Sequence, residues 1–140
     1  MLRKIKYYLD TTMFNFVFIE GDTEKRDITL KFFRDIPSIA EGTYISNEVI
    51  REISRAPEPR RTQLEGLLKE VKPLLLDIDL EAEELAGRYI KEGVIPKRYR
   101  SDALHIAVSV INGIEVIVSW NFEHIVKLRQ RLKNLCWNGD

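Results

Sequence analysis

The sequence predicts an α/β fold, an α/β/α sandwich whose central sheet is mostly parallel. Short segments rich in aromatic and β-branched residues, such as IKYYLD and GTYIS, alternate with longer segments whose apolar residues recur at helical spacing. This alternation is typical of a parallel sheet that helices cover on both faces. The 140 residues suit one domain, and no internal repeat or long linker interrupts them. We therefore expect a single domain over residues 1–140.

The composition limits the surroundings and partners of the protein. The 22 basic and 22 acidic residues cancel, which argues against a general polyanion-binding surface and permits only local basic patches such as KRYR, residues 97–100. The only cysteine is Cys136, so an internal disulfide is impossible and a reducing compartment suits the chain. No stretch approaches the ~20 apolar residues of a membrane span. We expect a cytoplasmic protein without a membrane partner.

The periodicity predicts alternating strands and helices along the chain. Predicted strands are IKYYLD, residues 42–46 and residues 115–119, while PLLLDI is either a short strand or an extended link. Predicted helices cover 12–35 with a break at 20–22, 46–55, a segment from residue 60, 79–91 and 101–112. An amphipathic helix, NFEHIVKLRQRLKN, and an edge strand, LCW, complete the prediction.

Asp10 ends the first predicted strand, and two explanations fit its position. Aspartate is a favoured N-cap, which would serve the helix that follows. Ligands also bind at the carboxyl ends of strands in open α/β sheets, which would suit a metal ligand. The residue alone favours the N-cap, so other acids at the same edge must decide.

The second strand is followed by Glu48 and Glu52, which lie four residues apart along one side of the predicted helix. The helix has three apolar positions, Val49, Ile50 and Ile53. Relative to these, Glu52 falls at the border of the apolar face, whereas Glu48 points further toward solvent. Glu52 is therefore the candidate ligand and Glu48 the alternative. Ion pairs with neighbouring arginines are the structural explanation for both.

Two later junctions also carry oxygen-bearing side chains. Asp102 follows Ser101, a candidate N-cap, in a helix that is otherwise almost wholly apolar, and the basic loop before it would suit an anionic ligand. The last junction carries Ser119, Asn121 and Glu123. A parallel sheet with right-handed crossovers would bring these junctions to one edge, where a cation must neutralise close carboxylates. Oxygen ligands without a His or Cys cluster favour Mg²⁺ or Mn²⁺, which suit phosphodiester hydrolysis.

Four segments resemble, in order, the motifs of the PIN-domain nucleases, the family that includes the VapC-type toxins of toxin–antitoxin systems. The segments are YYLDTTMF, YISNEVIREI, RSDALHIAVSV and VIVSWNFEHI, and together they span nearly the whole chain. The resemblance places the family's acidic residues at Asp10, Glu52 and Asp102. It implies a PIN-like domain that cleaves RNA with Mg²⁺ or Mn²⁺ held by these three carboxylates.

The resemblance, together with the basic loop KRYR and the aromatic residues near the first helix, indicates the remaining site residues and the partners. Asn121 would complete the metal's coordination shell or orient the attacking water as a fourth catalytic residue. Substrate contacts are expected from Thr12, Arg98, Arg100 and Ser119. The expected partners are an RNA substrate, a cognate antitoxin protein and a second copy of the chain.

The last motif departs from the family. In the family this motif often has a Thr-x-Asp pattern. This chain has Ser119-Trp120-Asn121 instead, which replaces a charged ligand by a neutral amide. The number of bound metals therefore stays open. So does an alternative function, a catalytically weak PIN-like module that binds RNA or another protein.

Other candidate residues and protein classes fit less well. A haloacid dehalogenase-like phosphatase needs a second aspartate where Thr12 stands, and a response-regulator receiver needs a late-strand lysine that VIVSW does not supply. We interpret the histidines as packing residues and Cys136 as structural. The aromatic run of Phe14, Phe16 and Phe18 is more typical of a core or a subunit interface than of a nucleic-acid platform.

Overall fold

A four-stranded parallel sheet forms the centre of the computed structural model, which describes residues 4–121. Its strands, in the order β3-β2-β1-β4, are β1 (Ile5–Leu9), β2 (Ala40–Ser46), β3 (Leu74–Leu76) and β4 (Val116–Val118). The helices of the same residues are α1 (Thr11–Asn15), α2 (Thr23–Ile39), α3 (Asn47–Ser54), α4 (Arg60–Val71), α5 (Leu80–Lys91) and α6 (Arg100–Ile111). The α/β/α sandwich predicted from the sequence is confirmed.

The two faces of the sheet carry separate cores, because successive strand residues point to opposite sides. Leu9 and Ile45 pack on one face against helices α1, α3 and α4. Tyr8 packs on the other face with Val108 of α6 and Ala82 of α5. The strand residues thus connect two helical layers.

In the order β3-β2-β1-β4, the carboxyl end of β1 lies at the switch point, where the direction in which the chain adds strands is reversed. The chain builds β2 and then β3 on one side of β1, and the α5–α6 crossover returns it to β4 on the other side. Such a switch point is where open α/β sheets bind ligands, because adjacent connections leave in opposite directions and open a crevice. Asp10 follows β1 directly.

Several element boundaries differ from the predictions. The predicted helix over 12–35 is divided into α1, a 3₁₀ turn at Phe16–Phe18 and α2. The break at 20–22 contains Gly21, whose φ of 85° is easily adopted only by glycine. Helix α2 continues through Pro37 to Ile39, since Ile36 prolongs the buried stripe that begins at Thr29.

The later elements are close to their predictions. PLLLDI contains strand β3, and β4 is shorter than the predicted strand 115–119. The predicted helix NFEHIVKLRQRLKN and edge strand LCW lie outside the described residues, as do His124 and Cys136. Among residues 4–121, no helix is long and apolar enough to cross a membrane.

Candidate active site

Asp10 is a buried carboxylate whose two oxygens are held by side chains from different junctions. Its Oδ1 accepts hydrogen bonds from the Thr12 backbone N–H at 3.0 Å and the Thr12 hydroxyl at 2.5 Å. Its Oδ2 accepts one from the Ser119 hydroxyl at 2.5 Å. The N-cap interpretation is confirmed, since the first contact caps α1. Capping does not account for the contact with Ser119, which lies after β4.

Among the described residues, no lysine or arginine neutralises the charge of Asp10. Burial raises the pKa of its carboxyl, against the opposing effect of the hydrogen bonds from Ser119 and Thr12. Within residues 4–121, no lysine or arginine forms an ion pair with it. A bound cation would stabilise the ionised form that burial disfavours.

Thr12 and Ser119 join the β1 and β4 junctions into one structure. The Thr12 hydroxyl oxygen accepts a 2.8 Å hydrogen bond from the Trp120 backbone N–H, and the Ser119 hydroxyl oxygen accepts one of 2.9 Å from that of Asn121. The two hydroxyls are 3.3 Å apart. Asn121 is exposed beside this cluster. The hydroxyls predicted to contact substrate thus also fix the carboxylate of Asp10.

Glu52 of α3 lies at the same edge of the sheet, and two hydrogen bonds join its carboxylate to side chains of α1 and α6. Its Oε1 accepts from the Thr11 hydroxyl at 2.8 Å and lies 2.9 Å from Nε2 of His105 on α6. Burial alone would raise the pKa of Glu52, but the hydrogen bonds from His105 and Thr11 outweigh it and hold the pKa below its ordinary value. Glu52 is therefore ionised at neutral pH.

The prediction that Glu48 points further toward solvent than Glu52 is wrong. The Glu48 side chain is 3% exposed and that of Glu52 is 34% exposed. Ile50 is itself exposed, so the buried face of α3 is centred on Val49 and Ile53 and turns Glu48 inward. The apolar face was misplaced because Ile50 was counted as part of it.

Glu48 is neutralised by a neighbour, in contrast to Asp10. Arg51 forms a bidentate ion pair with it, in which Nε lies 2.7 Å from Oε1. The Ser101 hydroxyl donates a 2.6 Å hydrogen bond to Oε2. The carboxylate of Glu48 is thus already bonded to other side chains of the protein and has a structural role.

Helix α6 begins one residue earlier than predicted, and the prediction that Ser101 is its N-cap is wrong. Tyr99 occupies the cap without a side-chain hydrogen bond, and the Ser101 hydroxyl bonds to Glu48 instead. Asp102 lies in the first turn of α6, where its charge suits the positive end of the helix. It is half-buried and stands one turn before His105.

His105 is buried and hydrogen-bonded, as expected of a packing histidine in an apolar helix, and its ring also contacts Glu52 of the candidate site. It is 2% exposed, and its Nδ1 lies 2.5 Å from the hydroxyl of Tyr8. That hydroxyl also lies 2.7 Å from the hydroxyl of Ser46. In the sequence, the spacing of one helical turn between Asp102 and His105 is the feature that indicates that His105 lies near the candidate site.

The basic loop before α6 has its own short structure. Residues Lys97–Tyr99 form a 3₁₀ turn, and the guanidinium of Arg98 lies 4.6 Å from the ring centre of Tyr99. Arg98 and Arg100 are exposed. Their positive charges therefore stand at the start of the helix that carries Asp102.

The acids of the candidate site fit a cation that retains water ligands. No group of three His, Cys, Asp or Glu side chains in the described part of the chain stands close enough together to form a ready metal cage. Mg²⁺ generally binds through one or two carboxylates and keeps several waters. The buried carboxylate of Asp10 and the ionised carboxylate of Glu52 supply the oxygen donors that such an ion needs.

Comparison with solved structures defines the class of fold. The chain resembles VapC20 of Mycobacterium tuberculosis, described as a sarcin–ricin loop cleaving toxin, with a TM-score of 0.64 and 16% identity over 81% of this chain and 88% of that one. It also resembles VapBC2 of Rickettsia felis, solved with a DNA fragment from its promoter, with a TM-score of 0.53 and 14% identity over 88% and 95% of the two chains. The chain therefore has the PIN-domain fold of the VapC-type toxins.

Sequence comparison adds no closer relative. No family model matches the chain, and no curated protein matches it significantly.

Proposed function

We propose that this protein is a metal-dependent endoribonuclease and the toxin of a toxin–antitoxin pair. The observation that carries the proposal is the buried carboxylate of Asp10 at the switch point of the sheet, which forms no ion pair with a lysine or arginine of residues 4–121, with Glu52 bonded to the adjacent Thr11. The fold shared with VapC20, whose description names cleavage of the sarcin–ricin loop, supports RNA as the substrate.

Asp10, Glu52 and Asp102 are the proposed ligands of Mg²⁺ or Mn²⁺. The ion would activate water and stabilise the charge that develops on the phosphate oxygens. Ser119 and Thr12 hold the Asp10 carboxylate in one orientation, which lowers the cost of ordering it for the ion. Asn121, beside Ser119, would orient the attacking water or complete the coordination shell.

The substrate is proposed to lie across the carboxyl edge of the sheet. Arg98 and Arg100 would contact flanking phosphates at the start of α6, where cations strengthen binding to RNA. Thr12 and Ser119 would contact the nucleotide nearest Asp10.

A protein antitoxin and a second copy of the chain are the proposed protein partners. The VapBC2 neighbour supports an antitoxin partner. Large apolar side chains are exposed on α2 and around β3, among them Leu30, Ile39, Leu74, Leu75 and Leu80. Exposed apolar side chains such as these mark interfaces. The aromatic run near α1 is a weaker argument for an interface, because Phe14 is fully buried and Phe16 stacks on Trp120.

Cleavage of single-stranded RNA by the purified chain, with Mg²⁺ or Mn²⁺ added, tests the enzymatic proposal. Asp10→Asn should abolish cleavage, since the amide retains the size and the cap but lacks the charge. Asp79→Asn is the control, because Asp79 also caps a helix, α5, through the backbone N–H of Ala82, and follows β3, which lies two strands from β1. Cleavage that persists in Asp10→Asn would contradict the proposal.

A catalytically weak module that binds RNA or protein is the second candidate function. The neutral Asn121 at the edge of the site favours it, because a second metal would lack a charged ligand there. This function would be favoured if the wild-type chain binds RNA without metal and does not cleave it when either Mg²⁺ or Mn²⁺ is added.

A further inference from the structure

A buried series of hydrogen bonds runs from the end of β2 through β1 to the side chain of Glu52. The backbone N–H of Glu48 donates to the Ser46 hydroxyl oxygen at 3.2 Å, and this oxygen lies 2.7 Å from that of Tyr8. The Tyr8 hydroxyl lies 2.5 Å from Nδ1 of His105, whose Nε2 lies 2.9 Å from Oε1 of Glu52. The series joins two strands and two helices at the candidate site.

One assignment of the hydrogens satisfies every member of this series. The Glu52 carboxylate only accepts, so Nε2 of His105 donates to it, and Nδ1 of the neutral imidazole then accepts the hydrogen of the Tyr8 hydroxyl. The Tyr8 oxygen in turn accepts the hydrogen of the Ser46 hydroxyl, whose oxygen accepts the N–H of Glu48.

The side chains of the series are more deeply buried with distance from Glu52. Tyr8 is fully buried in β1 between β2 and β4, and Ser46 ends β2 with no exposed surface. His105 is nearly as buried, whereas Glu52 has a long side chain that is one-third exposed. The hydrogen bonds thus transfer the order of the sheet to a carboxylate that would otherwise sample several rotamers.

We propose that His105, oriented by Tyr8, is a positioning residue that fixes the carboxylate of Glu52 for a divalent cation. The inference rests on the proposed metal site. Partners that orient a metal ligand generally change metal affinity by about 10–100-fold when they are lost. Neither Tyr8 nor His105 needs to touch the metal or the RNA for this effect.

Two amide substitutions at His105 separate positioning from packing. In His105→Gln, the amide nitrogen stands as many bonds from the backbone as Nε2 and can still donate to Glu52. In His105→Asn, the amide stands at the distance of Nδ1, so it can bond to Tyr8 but does not reach Glu52. Both amides are polar and neutral, so a difference between them reports on the contact with Glu52.

The affinity for Mn²⁺ alone, measured by electron paramagnetic resonance, is the first readout. We expect His105→Asn to weaken it about 10-fold or more, and His105→Gln to remain within a few-fold of wild type. Tyr8→Phe should weaken it as well, while Tyr44→Phe, on the neighbouring strand outside the series, is the control. With RNA as substrate, His105→Asn should need more metal for the same kcat.

The tautomer of His105 is a readout that needs neither metal nor activity. The chain has two histidines, so the ring nitrogen signals in NMR spectra can be assigned from the variants. We expect the Nε2–H form in the wild type and a redistribution of the two tautomers in Tyr8→Phe. Equal Mn²⁺ affinity in His105→Asn, His105→Gln and wild type, or an Nδ1–H tautomer, would overturn the positioning role. A wild-type chain that binds no Mn²⁺ would overturn the metal site itself.

Discussion

The hydroxyl of Thr11 donates a 2.8 Å hydrogen bond to Oε1 of Glu52, which lies 41 residues later in the chain. Thr11 directly follows Asp10, so this bond fixes α3 against the end of β1 at the candidate site. Asp10 and Glu52 are thereby held on one edge of the sheet through their neighbours.

Thr11→Val should weaken both the fold and metal binding, because valine has the shape of threonine but no hydroxyl for Glu52. Loss of the bond should lower the free energy of unfolding by about 1 kcal/mol. Urea denaturation and an Mn²⁺ titration measure the two effects. The same change at Thr43, a half-buried position in β2, should leave Mn²⁺ affinity unchanged. Equal Mn²⁺ affinity in both variants would remove Thr11 from the site.

Ser119→Ala should destabilise the protein by about 2 kcal/mol, since it deprives the buried Asp10 of a hydrogen bond and the backbone N–H of Asn121 of its acceptor. Ser109→Ala is a control at a buried serine of α6, whose hydroxyl donates to the carbonyl of His105 within the same helix. Alanine favours helices, so this second change should cost much less. Denaturant unfolding compares the two, and equal losses would mean that Asp10 does not depend on Ser119.

Glu52→Gln and Glu48→Gln should affect different properties of the protein. Glu52→Gln should abolish cleavage and greatly weaken Mn²⁺ binding, because a proposed ligand loses its charge. Glu48→Gln should mainly lower stability, since it breaks the ion pair with Arg51. Thermal unfolding and Mn²⁺ titration of both variants decide the assignment. The reverse result would make Glu48 the ligand.

Removing Arg98 and Arg100 together should weaken RNA binding and flatten its salt dependence. Each lost phosphate contact on a single strand lowers the slope of log K against log salt by about 0.7. Binding to a non-cleavable RNA at several salt concentrations measures the slope. A double change at Lys31 and Arg34, exposed cations of α2, should leave it unaltered. A slope that falls equally in both variants would show no specific role for the basic loop.

Asn121→Asp tests whether the neutral amide limits a second metal. The added carboxylate should raise activity or lower the metal concentration required for cleavage, because it restores a charged oxygen ligand. Activity measured across an Mg²⁺ titration gives the result. An unchanged titration curve would place Asn121 beyond the reach of the metal.

The sequence by itself determined the class of fold and the position of Asp10. The alternation of strands and helices arises from periodic burial, which is a local property, and it predicted the parallel sheet with helices on both faces. It also predicted the N-cap at Asp10 correctly, since this cap depends on a neighbour only two residues away.

The tertiary structure decided which side chains meet at the edge of the sheet. Ser101 was predicted to cap α6 but bonds to Glu48, 53 residues earlier, and Glu48 turns inward although the helical pattern placed it outward. Tyr8 and His105, 97 residues apart, meet only because β1 lies beneath α6. Such contacts depend on how layers pack across the sheet, and the periodicity of one element carries no information about the side chains that the opposite layer brings to it.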